Sequence, residues 1–128
     1  MQKLVLLGLA GVAGTFGRYW LSGVVARRFG ETFPWGTLAV NVAGCFLAGL
    51  LFYLIQERFP ASDTWRAVVF TGFLGAFTTF SAYGLQTFTL MQEGRFGLAA
   101  LNVAASNVAG LCMVWCGYSL ARVLSGAR

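Results

Sequence analysis

Residues 65–92 read WRAVVFTGFLGAFTTFSAYGLQTFTLMQ. The stretch is long and apolar enough to cross a lipid bilayer as a helix, which takes about 20 such residues. Its centre, GAFTTFSAY at residues 75–83, nevertheless carries three hydroxyl side chains, those of Thr78, Thr79 and Ser81. A polar centre at the depth where lipid is driest has to be explained by the fold or by the function.

The composition of the whole chain indicates that the membrane is its solvent. Of 128 residues, 58% are hydrophobic and 10% are charged, whereas a soluble domain carries about a quarter charged residues. Three further apolar runs lie at residues about 4–26, 35–56 and 96–120. We therefore predict an all-α membrane protein with four transmembrane helices, in which a single domain fills residues 1–128.

Charge and cysteine content exclude other classes of protein. The net charge of +5 comes from nine Lys and Arg residues against four Asp and Glu residues. The basic residues lie mostly at span ends, which suits lipid headgroups as the partner and argues against a nucleic acid. Cys45, Cys112 and Cys116 lie in apolar runs of a chain without histidine, so packing is favoured over metal binding.

The basic residues leave the orientation in the membrane open. The side that holds both termini and the middle link has five of them, and the opposite side has three: Lys3, Arg58, Arg66, Arg122 and Arg128 against Arg27, Arg28 and Arg95. A fixed topology with cytoplasmic termini and a dual topology with antiparallel pairing both fit this weak bias. Four short helices with many small residues, such as Gly14 and Gly49, enclose little volume, so we expect a homo-oligomer.

The polar centre of the third span has two interpretations. In one, the helix is interrupted near Thr78 and Thr79, which frees carbonyls for a cation and starts a half-helix whose N–H groups attract an anion. In the other, the helix is continuous and the hydroxyls bond back to the preceding turn. A midspan break has a further consequence for an antiparallel pair, because it would meet its own copy on the two-fold axis.

Polar residues in the other spans give hydrogen-bond donors. Thr37 and Asn41 share a face of the second span, where an amide either serves a function or joins two helices. Asn102 and Ser106 share a face of the fourth span. Arg18 lies late in the first span, where it either snorkels to the interface or lends positive charge to an aqueous vestibule.

The donors favour an anion as the ligand. Phe80 and Tyr83 share a helix face, and the positive edges of their rings suit an anion, although packing explains them equally well. The alternative function is a small dual-topology multidrug-type exporter. Such an exporter needs a carboxylate in the membrane, and the absence of Asp and Glu from the spans argues against it. A structural subunit has no need of costly polar residues at midspan. An enzyme would need a nucleophile beside a base, and this sequence offers no such pair.

Four motifs resemble the CrcB/Fluc fluoride ion channel family across nearly the whole chain: GRYW at 17–20, WGTLAVN at 35–41, TGFLGAFTTFS at 71–81 and LMQEGRFGLAALN at 90–102. The resemblance implies a dual-topology antiparallel homodimer in which the third helix is broken near its centre. It further implies two pores that export fluoride passively across the bacterial cytoplasmic (inner) membrane and reduce fluoride toxicity. A structural sodium ion at the dimer centre is implied as well.

The resemblance also implies roles for particular residues. The fluoride pore would be lined by Asn41, Phe80, Tyr83, Thr37, Ser81 and Ser106, with Arg18 at the vestibule. The sodium ion would be held by the backbone carbonyls of Gly75 and Thr78 from both chains. The family usually reads GGLTTFSTF where this chain reads GAFTTFSAY, so Tyr83 replaces the second pore phenylalanine and its role stays open.

Overall fold

The structure, a computed structural model, describes residues 1–126, so Arg128 in the charge comparison lies outside the described residues. The first helix, α1, runs Gln2–Phe29, and α2 runs Trp35–Phe52 with a π-helical continuation, Tyr53–Arg58. The third span covers Asp63–Gln92, and the last helix, α6, runs Phe96–Leu124. These four helices are long and apolar enough to cross a membrane, as predicted.

The third span consists of two halves. The first half comprises three short segments: α3 (Asp63–Arg66), a π-helical stretch (Ala67–Leu74) and α4 (Gly75–Phe77). The second half is one helix, α5 (Phe80–Gln92). Residues 78 and 79 separate the halves at the middle of the span.

The other three helices pack around the third span and against one another. Helix α1 packs along the first half of the third span, whereas α2 packs along α6, and α5 also lies on α6. Glycines permit the close approaches: a β-carbon at Gly14 would collide with the Phe73 carbonyl oxygen, and one at Gly49 would collide with that of Val114. Close packing through small residues is thus confirmed at these positions, whereas Gly8 has nothing within 4 Å.

The exterior of the chain is apolar. Large side chains on α1 and α6, among them Phe16, Trp20, Trp115 and Val123, are mostly exposed. The core is correspondingly small, and Val40 on α2 is its most deeply buried apolar residue. Such an inverted distribution is typical of a protein whose surface meets lipid or another apolar surface.

Candidate functional site at the break of the third span

The third span is broken at its centre by two residues with extended backbone. Thr78 has φ −85° and ψ 162°, and Thr79 has φ −151° and ψ 110°. The predicted break is therefore confirmed. The hydrogen bond expected for a continuous helix is present too, since Thr78 Oγ1 donates to the Leu74 carbonyl at 3.0 Å, but it does not carry the helix past Thr78.

The carboxamide of Asn41 binds the backbone at the break. Its Oδ1 accepts a hydrogen bond from the Thr79 N–H at 2.8 Å, and its Nδ2 donates to the Thr79 carbonyl at 3.0 Å. Both backbone groups of Thr79 are thus satisfied by one side chain on α2. Non-helical backbone at membrane depth needs such partners because lipid supplies none.

The break redirects two N–H groups away from their helical acceptors. In a continuous helix the N–H of Thr79 would bond to the Gly75 carbonyl, and that of Ala82 would bond to the Thr78 carbonyl. The first instead donates to Asn41, and the second donates to Thr79 Oγ1 at 3.2 Å. The carbonyls of Gly75 and Thr78 thereby lose their helical donors.

These two carbonyls are the groups predicted to hold sodium, and their chemistry fits that ion. Backbone carbonyl oxygens are suitable ligands for a hard cation. Across residues 1–126 there is no cluster of three or more His, Cys, Asp or Glu side chains that would form a different metal site. The oxygens available to a cation at the break are therefore those of the main chain and of neutral side chains such as the Thr78 hydroxyl.

A cleft of about 550 Å³ lies on one side of the break, between α1, α2 and α5. It is lined by Arg18, Thr37 and Ser81, together with Thr79, and we call it the Arg18 cleft. Three of the residues predicted for the site are thus brought together. Within the described part of the chain Arg18 forms no ion pair and no side-chain hydrogen bond, so no partner compensates the positive charge that it brings to the cleft.

A second cleft, of about 240 Å³, lies on the other side of the break. Its lining includes Asn41, Phe80, Tyr83 and Ser106, and again Thr79; we call it the Phe80 cleft. The rings of Phe80 and Tyr83 are 5.3 Å apart between centroids and tilted by 50°. The six residues predicted for a pore therefore divide between two clefts that share Thr79 as a wall.

The start of α5 adds a positive electrostatic end to both clefts. Thr79 is its N-cap, and its hydroxyl accepts from the Ala82 N–H. The same hydroxyl lies 3.3 Å from Ser81 Oγ. Because the N-terminus of a helix favours negative charge, the midspan start of α5 suits an anion.

Sequence reasoning placed Asn102 beside Ser106 but gave neither Asn102 nor Thr87 as a site residue. Asn102 is 2% exposed, and its Nδ2 donates to Thr87 Oγ1 at 2.8 Å. Ser106 Oγ lies 3.5 Å from Asn102 Oδ1, as their shared helix face led us to expect. Asn107 was likewise not predicted as a site residue. The four-residue spacing of Tyr83 and Thr87 places those two residues on one helix face, which is the signal that could have identified Thr87.

The four carboxylates of the chain lie away from the break. Glu31, Glu57, Asp63 and Glu93 are all exposed and lie in links or at helix ends. The midspan region thus offers amides, hydroxyls and aromatic edges without a carboxylate. This chemistry differs from that expected of a proton-coupled exporter.

Comparisons with known proteins agree with the architecture. The chain matches the family described as "CrcB-like protein, Camphor Resistance (CrcB)" over residues 5–118. A relative from Opitutus terrae is 46% identical over 130 residues, covering 100% of this chain and 98% of the relative. A relative from Nitrosococcus oceani is 41% identical over 123 residues, covering 96% and 98% respectively.

Both relatives carry the name "Fluoride-specific ion channel FluC". They are ion channels by name, so the prediction that the chain is not an enzyme is confirmed. With four helices suited to crossing a bilayer and relatives of this kind over nearly its full length, the chain is a multi-pass membrane protein and belongs to the CrcB family.

Proposed function

We propose that this protein is a fluoride-selective passive channel that exports fluoride from the cytoplasm and reduces fluoride toxicity. The observation that carries the proposal is the midspan start of α5, flanked by two donor-lined clefts. Fluoride holds its hydration shell tightly, so a pore must offer many donors in exchange. The names of the relatives support the same ion.

The clefts suggest an order of contacts for the ion. The guanidinium of Arg18 raises the local concentration of anions, and the hydroxyls of Thr37 and Ser81 replace water in the Arg18 cleft. Beyond the break, the Phe80 cleft offers the second Nδ2 hydrogen of Asn41 and the hydroxyl of Ser106.

Passive export suffices for protection. Hydrogen fluoride is a weak acid that enters the cell as a neutral molecule and dissociates inside. The trapped ion then leaves through an anion pore, driven by the negative interior at about 2.3 kcal/mol per charge per 100 mV. We place the channel in the bacterial inner membrane for this reason.

The assembly we propose is an antiparallel homodimer with two pores. Gly75 and Thr78 supply two carbonyls per chain that have lost their helical donors. Two oxygens are too few to coordinate one cation, so a second copy of the chain would supply the remaining ligands. When bound there, sodium would neutralise the carbonyl dipoles and join the two chains. The exposed apolar side chains on α1 and α6 give a second chain a surface to cover.

The test is fluoride release from liposomes that contain the purified protein. Vesicles loaded with potassium fluoride or potassium chloride are treated with a potassium ionophore, and released halide is measured with an ion-selective electrode. We expect rapid fluoride release that requires the ionophore, and no chloride release. An absence of release from folded protein would refute the channel, and release that requires a proton gradient would favour an exporter.

A further inference from the structure

Asn107 on α6 has an amide whose orientation is fixed by its neighbours. Its Nδ2 lies 2.8 Å from the Val103 carbonyl oxygen and 3.5 Å from the Tyr83 hydroxyl oxygen. A carbonyl oxygen only accepts, so the nitrogen, and not Oδ1, must face Val103. One of the two amide hydrogens is used there, and the other is directed to Tyr83.

This arrangement determines the direction of the Tyr83 hydroxyl hydrogen. A phenol oxygen accepts from a donor and carries one hydrogen of its own. Because Asn107 can only donate to it, that hydrogen points elsewhere. Tyr83 and Asn107 both line the Phe80 cleft, so the hydrogen is available to a group inside the cleft.

We propose that Asn107 is a positioning residue that holds the Tyr83 hydroxyl as a hydrogen-bond donor to a small anion in the Phe80 cleft. The inference rests on the proposed function and adds a residue pair to it. A phenylalanine at position 83 would offer only a ring edge, whereas Tyr83 offers a hydroxyl whose direction Asn107 sets. Ser106, which lines the same cleft, supplies a second hydroxyl to the same ion.

The experiment compares Asn107→Leu, Tyr83→Phe and the double variant in the fluoride release assay, at equal protein per vesicle. Loss of one hydrogen bond is expected to lower fluoride flux about three- to tenfold in either single variant. The double variant is expected to match Tyr83→Phe alone, because Asn107 acts only through the hydroxyl. Val108→Ala is the control, since Val108 neighbours Asn107, is 63% exposed and does not line the cleft.

Each outcome decides between the two proposals. If the wild-type protein releases no fluoride, the proposed function fails. If the wild type conducts and Asn107→Leu conducts equally well, only the inference about Asn107 fails. The inference also fails if Asn107→Leu lowers flux by the same factor in the Tyr83→Phe variant as in the wild type. Should Asn107→Leu not purify as the wild-type oligomer, Asn107→Ala removes the same amide with a smaller side chain and is judged by the same criteria.

Discussion

Asn41 and Thr79, 38 residues apart in the chain, are joined by two hydrogen bonds between one carboxamide and one residue's backbone N–H and carbonyl. These two hydrogen bonds replace those that the N–H and carbonyl of Thr79 would form in a continuous helix. They leave one Nδ2 hydrogen of Asn41 unused, and Asn41 lines the Phe80 cleft. One side chain thus supports the break and contributes to the path that we propose for the ion.

Asn41→Asp is expected to reduce fluoride flux by roughly tenfold or more, because an unpaired Thr79 carbonyl alone costs about 1–3 kcal/mol and the new charge repels the anion. Flux and thermal unfolding of the purified protein are measured together. Asn41→Ala separates the two causes, since it removes both hydrogen bonds without adding charge. Wild-type flux in Asn41→Asp would contradict the pore assignment.

Phe80→Ala is expected to impair conduction while the dimer stays intact. Phe80 is 83% exposed in the protomer, so removal of its ring leaves no cavity there. Phe77→Ala is the matched comparison: Phe77 is 7% exposed, and its truncation should cost about 3–5 kcal/mol of stability. Flux and elution volume on size exclusion check both variants, and unchanged conduction in Phe80→Ala would reduce Phe80 to packing.

Gly44→Ala is expected to lower both stability and flux. A β-carbon at Gly44 would collide with Thr78 Cγ2 and lie 3.4 Å from the ring of Phe77, so the break would have to shift. Overpacking of this kind costs about 1–3 kcal/mol. Gly8→Ala is the control, because Gly8 has nothing within 4 Å. Equal melting temperatures for the two variants would show that the break tolerates movement.

If the carbonyls of Gly75 and Thr78 hold sodium, replacement of sodium by a large organic cation is expected to weaken the dimer. Thr79→Ala removes the hydroxyl that accepts from Ala82, so the Ala82 N–H can return to the Thr78 carbonyl and compete with the cation. The variant should also lose about 1 kcal/mol of helix capping. Dimer dissociation is measured with and without sodium, and Thr79→Ser, which keeps the hydroxyl, is the control. If sodium affects Thr79→Ala and Thr79→Ser equally, the result would count against the sodium site.

Arg18→Gln is expected to lower fluoride flux at low ionic strength and to have less effect at high ionic strength, because salt screens the attraction between Arg18 and the anion. Arg18→Lys keeps the charge and should retain most of the flux. Release rates are compared in low and high concentrations of an impermeant salt. The same loss at every salt concentration would assign Arg18 a packing role.

The number and approximate extent of the spans can be predicted from hydropathy along the sequence. Lipid requires about 20 apolar residues for each crossing, and charged residues are costly inside it, so hydropathy alone delimits the four helices. The same costs make the hydroxyls of Thr78, Thr79 and Ser81 conspicuous at midspan. The sequence also shows that no carboxylate lies inside a span, which favours an anion over a proton-coupled substrate.

Whether the third span breaks depends on contacts between helices that are distant in sequence. A continuous and a broken helix differ by the partners available to two or three backbone groups, and the partner here is Asn41 on another helix. The hydroxyl of Thr78 bonds back to its own turn in either case, so local sequence could not discriminate between them. The roles proposed for the pore residues, the sodium ion and the dimer stay predictions.

The division of the site into two clefts is likewise a consequence of packing. Thr37 and Asn41 lie four residues apart on one helix face, yet Thr37 lines the Arg18 cleft and Asn41 lines the Phe80 cleft. Thr79 lies between them because the break carries it toward α2. The contact of Asn107 with Tyr83 depends on how α6 packs against α5, and the sequence pattern of either helix does not specify that packing.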